Sequence, residues 1–333
     1  MKAIIPVAGR GTRLWPHTLS TPKPLLRVGG RPVMSYILDD LQELGIHEIV
    51  FIVGYLRNVV REYVEQEYPD LTARFVIQKV QDGTAGAIQL AEPFVEEDVV
   101  IVFVDTLFDA DLSLVQSLSD DWAGVIWTKE VEDYQRFGVI LTDEDGAMTR
   151  IVEKPNEPVS KLANIGLYYI RDWQQLFQGI RHVLGSTPGS GGEFFLTDAF
   201  QHMVDHGARI QTAPVGGWYD CGRIETLLAT NHHLLETTRG GVSSEASLQE
   251  ATFEGMIRVE ENARIRASIL GPNVTVERGA TIEEATLRDC IVGENSVVRG
   301  CNLHDSILGA ESRIENVIGR LNAGPYTELL GRG

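Results

Sequence analysis

A sixteen-residue repeat near the C-terminus constrains this chain more than any other feature. Aligning ATLRDCIVGENSVVRG (285–300) with CNLHDSILGAESRIEN (301–316) sets Leu287 on Leu303, Asp289 on Asp305, Ile291 on Ile307, Gly293 on Gly309 and Ser296 on Ser312. Six-residue steps also join Leu270, Val276 and Ile282. Aliphatic residues at five- or six-residue steps, with small or polar residues between them, mark hexapeptide β-helix coils. Each coil buries its apolar residues only against its neighbours, so such repeats are stable as a stack. About three to four coils are expected over 252–318.

The first two thirds of the chain follow a different pattern. Apolar strands are expected at 2–8, 48–53, 74–78, 99–104, 124–128, 138–142 and 165–170, and helices at 33–44, 59–67, 85–94, 196–207 and 224–235. Strands that are apolar throughout and alternate with helices indicate a mostly parallel α/β sheet covered on both faces. The fold class expected is therefore a Rossmann-like mixed, mostly parallel sheet followed by a short left-handed parallel β-helix. The chain divides into a catalytic domain over 1–236, a polar Gly/Ser-rich linker over 237–250, the β-helix over 251–319 and a C-terminal tail over 320–333.

Composition narrows the function classes. With 333 residues the chain has room for about two domains. The longest apolar run, Val99–Val104, is six residues, far short of the ~20 that a membrane span needs. The start MKAIIPVAGRG reaches Gly9 and Arg10 too soon for a signal peptide. Three cysteines (Cys221, Cys290, Cys301) form neither a disulfide framework nor a zinc spacing. A soluble cytoplasmic protein is expected. The net charge of −18 argues against a nucleic-acid or membrane-surface binder. Yet residues 1–38 contain no Asp or Glu and six basic residues, Lys2, Arg10, Arg13, Lys23, Arg27 and Arg31. Such a basic segment on an acidic protein suits a small polyanion.

Within that segment, Gly9 and Gly11 follow a strand and Arg13 and Lys23 follow the glycines. Glycine lets backbone N–H groups approach a phosphate chain, and the basic side chains supply charge; a plain tight turn reads equally well. Leu14 stands where a dinucleotide fingerprint needs its third glycine, and no G-x-x-x-x-G-K-[ST] loop exists. Asp105 ends the most apolar strand, at the edge where open α/β sheets place ligands, and Asp220 lies in GGWYDCGR. Hard carboxylate oxygens suit Mg²⁺, but a loop-cap or turn Asp is the better reading of either position taken singly. Lys154 in VEKPNEP reads by itself as a solvated lysine.

In combination these segments are more specific. VAGRGTRLWPHT…PKPLL, Gln78…Gly83-Thr84-Ala85, VDT (104–106), FGVI (137–140), VEKP (152–155), ANIGLYYI (163–170), GEFFLTDA (192–199) and WYDCG (218–222) occur in one order. Over about 1–236 the chain resembles the sugar-1-phosphate nucleotidyltransferases, and glucose-1-phosphate thymidylyltransferases in particular. The tail is similar to the left-handed β-helix that several members carry. The resemblance implies in-line attack of a sugar 1-phosphate oxygen on the nucleotide α-phosphorus, with Mg²⁺ as cofactor and pyrophosphate leaving. It implies dTTP and glucose 1-phosphate as the favoured substrates, with UTP as the alternative donor.

The family's catalytic roles then fall on Arg13, Lys23 and Lys154, and its metal ligands on Asp105 and Asp220. Its nucleotide contacts fall on Ala8, Gly9, Gly11, Thr12, Gln78, Gly83 and Thr84, and its sugar-phosphate contacts on Gly138, Glu153, Lys154 and Asn164. Val104 departs from the pattern, because the family usually has Gly immediately before the metal Asp. That departure leaves a catalytically inactive, nucleotide-sugar-sensing homologue as the alternative class. An acyltransferase reading of the coils has only His304 to offer. A homo-oligomer contact through the coil stack fits them better.

Overall fold

The computed structural model describes residues 1–331. They form two compact units, residues 1–9 with 37–218, and residues 10–36 with the chain from Tyr219 on.

The first unit is an α/β layer structure. Its strands are β1 (Lys2–Val7), β2 (Glu48–Val53), β3 (Thr72–Ile77), β4 (Val99–Val102), β5 (Gly124–Glu130), β6 (Gly138–Thr142), β7 (Met148–Glu153), β8 (Leu162–Ile170) and β9 (Ile210–Pro214). Among the described residues these make one nine-stranded sheet in the order β7-β6-β8-β4-β1-β2-β3, with β5 on β8 and β9 on β5. β1 runs parallel to both β2 and β4, whereas β8 runs antiparallel to β4, β5 and β6. Ile4 faces Val50 and Ile101, and all three are buried in one cluster. Ile5 and Phe51, of opposite parity, are fully buried as well. Strand side chains alternate between faces, so both faces of the sheet are covered.

Helix α1 (Val33–Glu43) leads into this unit, which also holds α2 (Arg57–Glu67), α3 (Thr84–Gln89), α4 (Trp173–Leu184) and α5 (Leu196–Asp205). In α4, Leu176, Phe177, Ile180 and Val183 are buried at helical spacing, and Asp172 caps the helix by accepting from the Gln175 N–H at 3.0 Å. Burying a side chain such as Phe177 contributes about 2 kcal/mol. The helix read over 85–94 is α3 plus a separate 3₁₀ turn, Glu92–Phe94, because Pro93 cannot continue a ladder. The strand read over 99–104 ends at Val102. Phe103 still donates to the Gly166 carbonyl on β8, and the chain then turns at Val104–Asp105.

In the second unit, α6 (Ile224–Thr238) is followed by a left-handed parallel β-helix. One face stacks Ser247, Arg264, Thr281, Val297, Arg313 and Glu328 in register. A second stacks Thr286, Asn302 and Ile318, and a third Gly241, Arg258, Thr275, Ile291, Ile307 and Asn322. Residues 241–250 and 322–330, outside the 251–319 span, thus pair in the same stack; Arg332 and Gly333 of the 320–333 tail lie outside the described residues. The sequence alignment matches the register, since Leu287 lies on Leu303 and Ile291 on Ile307. Inward columns such as Ile265, Ile282, Val298 and Ile314 form the core at 0–1% exposure. The corners are left-handed. Glu250, Ala267, Glu284, Gly300 and Asn316 all have φ near +50 to +60°, as do Asn262, Gly279, Asn295, Glu311 and Tyr326. Each such corner turns the strand onto the next face.

Candidate active site

In the first unit the carboxyl ends of the parallel strands gather the sequence-marked residues. β1 delivers Ala8 and Gly9, β3 delivers Gln78, and β4 delivers Asp105. A Cβ added at Gly9 would meet nothing within 4 Å, so that stretch of backbone faces open space. The Ala8 carbonyl accepts from the Gln81 side chain at 3.4 Å. Gln78, 8% exposed, turns its amide to Asp82 at 3.3 Å. Gly83 has φ +110°, and a Cβ there would lie 2.3 Å from the Phe194 oxygen. Glycine is therefore required, because GEFF crosses directly over it. Thr84 Oγ1 accepts from the Leu196 N–H at 2.8 Å, which ties the start of α5 to the same loop.

A second group assembles beside the antiparallel strands. β6 and β7 set Gly138 opposite Glu153, while β8 sets Ala163 opposite Val139. Asn164 therefore reaches Gly138 and donates to its carbonyl at 2.9 Å. Tyr168, fully buried, donates to Asn164 Oδ1 and fixes the orientation of that amide. Glu153 Oε2 accepts from Thr197 Oγ1 at 3.1 Å, and Glu153 Oε1 lies 3.8 Å from Lys154 Nζ. Burial raises the Glu153 carboxyl above the usual carboxylate range, with Lys154 and the Thr197 hydroxyl opposing the shift.

Lys154 itself has φ +44°, a left-handed conformation that costs a non-glycine residue about 1–2 kcal/mol. Its N–H donates to the Phe137 carbonyl at 2.9 Å, and its ammonium lies 5.0 Å from the Phe195 ring centre. Lys154 is exposed, and this backbone brings its ammonium to within 3.8 Å of the hydrogen-bonded Glu153 carboxylate. A cleft of about 800 Å³ opens there, lined by Arg150, Glu153, Lys154, Asn156 and Asp198 among others. Thr197 and Tyr168 carry no role in the sequence reading. The only signal for them was membership of the GEFFLTDA and ANIGLYYI motifs.

In the second unit Gly11 has φ +62°, and its carbonyl accepts from Thr18 Oγ1 at 2.8 Å. Thr12 and Arg13 lie in the 3₁₀ turn that follows, Thr12–Leu14, both exposed. Asp220 Oδ1 accepts from the Gly222 N–H at 2.7 Å. A Cβ at Gly222 would meet both Asp220 Oδ1, at 2.7 Å, and Lys23 Nζ, at 3.4 Å, so ammonium and carboxylate converge on this glycine.

Among the described residues no three His, Cys, Asp or Glu side chains come together as a self-sufficient metal cage. Asp105 and Asp220 are half-buried carboxylates, one in each unit. Hard oxygen donors of that kind fit Mg²⁺, which takes one or two carboxylates and completes its shell with water and substrate phosphate. Among the described residues the three cysteines are buried and form no disulfide, and no helix is long and apolar enough to cross a membrane.

A family model for nucleotidyl transferases matches residues 2–237. The low-salt glycan biosynthesis nucleotidyltransferase Agl11 of Haloferax volcanii is 33% identical, over 94% of this chain and 94% of its own. A glucose-1-phosphate thymidylyltransferase of Streptomyces antibioticus is 31% identical, over 95% of this chain and 89% of its own. A crystal structure of UDP-glucose pyrophosphorylase complexed with UDP-glucose shares the fold, with a TM-score of 0.63 at 24% identity over 71% of this chain and 98% of its own. The chain belongs to the nucleotidyl transferase family, among relatives that are sugar-1-phosphate nucleotidyltransferases.

Proposed function

We propose that this enzyme transfers a nucleotidyl group from dTTP to glucose 1-phosphate, forming dTDP-glucose and pyrophosphate. The observation that carries the reading is the cluster of Gly138, Glu153, Asn164 and Thr197 beside the strained Lys154. A carboxylate and an amide held by neighbouring hydrogen bonds are suited to sugar hydroxyls, and an adjacent ammonium to the phosphate. Phosphoryl chemistry of this kind needs positioning and charge neutralisation more than covalent help.

In this reading Lys154 binds and orients the sugar phosphate, while Glu153, Asn164 and Gly138 hold the sugar. Arg13 and Lys23 neutralise the triphosphate as pyrophosphate leaves. Ala8, Gly9, Gly11, Thr12, Gln78, Gly83 and Thr84 form the nucleotide side. Asp105 and Asp220 would hold Mg²⁺, which supplies charge neutralisation on the transferring phosphate when bound. We place the enzyme in the cytoplasm as a homo-oligomer joined through its coils.

UTP is the second reading for the donor. A UTP–glucose-1-phosphate uridylyltransferase of Haloferax volcanii, AglF, is 30% identical over 72% of this chain. Uracil lacks one methyl of thymine, worth about 1 kcal/mol in an apolar pocket. Pyrophosphate release with Mg²⁺, crossing dTTP, UTP, ATP, GTP and CTP with glucose 1-phosphate and other hexose 1-phosphates, tests both. Turnover with dTTP supports the first reading and preference for UTP the second; silence across the grid removes both.

A further inference from the structure

Residues 12–26 have no regular structure long enough to stand alone. They form three 3₁₀ turns, Thr12–Leu14, His17–Leu19 and Lys23–Leu25, ending in a two-residue hairpin arm at Arg27–Val28. Isolated turns of this kind are held by tertiary contacts, and here the contacts come from the coils. Arg27 Nη2 lies 3.0 Å from both carboxylate oxygens of Glu260, and Arg27 Nε lies 3.2 Å from Glu277 Oε1. Glu277 is 4% exposed, and its other oxygen accepts from the Glu294 N–H at 3.2 Å. Buried His17 meets Asn322 Oδ1 through a ring nitrogen, and the Gly29 N–H donates to buried Asn231 at 2.9 Å. Asn231 Oδ1 in turn accepts from Thr275 Oγ1 of the coils at 2.7 Å. A coil stack used only for contact between subunits would not require carboxylates buried against this segment.

We propose that the coil stack is a working part of the nucleotide side of the reaction: Glu260 and Glu277 hold Arg27, and Arg27 fixes the segment that carries Arg13 and Lys23. Arg27 is thus a positioning residue. Its charge is spent on the coils, and it acts through the two cations that lie four and fourteen residues before it. The inference rests on the triphosphate role assigned to Arg13 and Lys23.

The test compares full-length wild type, Arg27→Gln, Arg27→Lys, Glu260→Gln and, as a coil control away from Arg27, Ile314→Ala. Pyrophosphate release is measured with Mg²⁺, glucose 1-phosphate and the triphosphate that wild type uses. Arg27→Gln is expected to raise KM for the triphosphate about tenfold and leave KM for the sugar phosphate within about twofold. Arg27→Lys recovers part of the loss, because charge is kept but the two-pronged contact is not. Amide hydrogen exchange in 12–26 is expected to quicken in Arg27→Gln and Glu260→Gln, but not in Ile314→Ala. Equal change in both KM values, no change in either, or the same split from Ile314→Ala overturns the proposal. If Arg27→Gln does not fold, Glu260→Gln carries the same kinetic and exchange readouts. If wild type itself shows no turnover, the functional reading fails while the exchange comparison still decides whether Arg27 holds the segment.

Discussion

Left-handed backbone occurs in both units of this molecule, and it means different things in each. In the coils it is periodic: φ is positive at Glu250, Ala267, Glu284, Gly300 and Asn316, at intervals of sixteen or seventeen residues. In the α/β unit, non-glycine residues with positive φ are isolated, at Leu56 and Lys154. A repeated strain is part of an architecture, since each corner turns one strand onto the next face. An isolated strain needs a local reason, and Lys154 has one in the carboxylate, carbonyl and aromatic ring around it.

The contrast predicts that the isolated strain serves chemistry and the periodic strain serves stability. The largest expected effect is on the chemical side. Asp105→Asn is nearly isosteric and removes the charge proposed to hold Mg²⁺ from a half-exposed turn, so kcat should fall by about 10³ while Tm stays within a degree or two. Steady-state kinetics with a thermal melt checks this. A large loss of Tm would give Asp105 a structural role like that of the coil corners.

Lys154→Gly tests the isolated strain directly. Glycine accepts φ +44° without penalty, so the variant should be as stable as wild type or more stable by about 1 kcal/mol. Its KM for sugar phosphate should nevertheless rise by about 10- to 100-fold, because the ammonium is gone. Unchanged kinetics with a gain in stability would mean that the strain serves no substrate.

How far the sequence shows these features follows from distance along the chain. The coils were legible because their neighbours lie sixteen residues apart, so Leu287 and Leu303 align by translation alone. The alternating strands and helices were legible for a similar reason, since apolar runs mark strands buried on both faces. The end of β4 was not. Phe103 and Val104 continue the apolar run past Val102, and nothing in that run marks the turn at Val104–Asp105. At the site, motif residues such as Lys154 and Glu153 could be marked one by one. Thr197 lies 44 residues from the Glu153 it bonds, and Arg27 lies 233 residues from Glu260. Single-sequence patterns do not carry such pairs.

The coil carboxylate at Glu277 sharpens the contrast through pH. Burial pushes this carboxyl up to about 7, opposed by Arg27 and reinforced by Glu260 and Glu294. The folded protein therefore keeps the proton to a higher pH than the unfolded chain does. Between about pH 4.5 and 7 the unfolded state binds fewer protons, so this group's contribution to stability falls as pH rises. It is fully present below that window and lost above it. Glu277→Gln does not titrate, so its unfolding free energy minus that of wild type, from chemical denaturation at each pH, should climb across the window by about 3 kcal/mol. A flat difference would place the Glu277 pKa near that of an ordinary carboxyl, with its attraction to Arg27 offsetting the cost of burial.

The smallest effect separates architecture from chemistry most cleanly. Asn295 sits at a coil corner with φ +55°, exposed, and donates to Glu311 Oε1 at 2.8 Å on the next coil. Asn295→Ala keeps the fold but places a Cβ in the left-handed region without the short polar side chain that eases it, costing about 1 kcal/mol. Asn295→Gly loses the same hydrogen bond yet accepts the φ freely, so it should cost only a few tenths of a kcal/mol. Chemical denaturation of the pair isolates the backbone term, because both variants lack the amide. The ratio of the two KM values should be unchanged in each. If alanine and glycine cost the same, the corner is held by the side-chain ladder, and the periodic strain is a consequence of the coils rather than a condition for turning them.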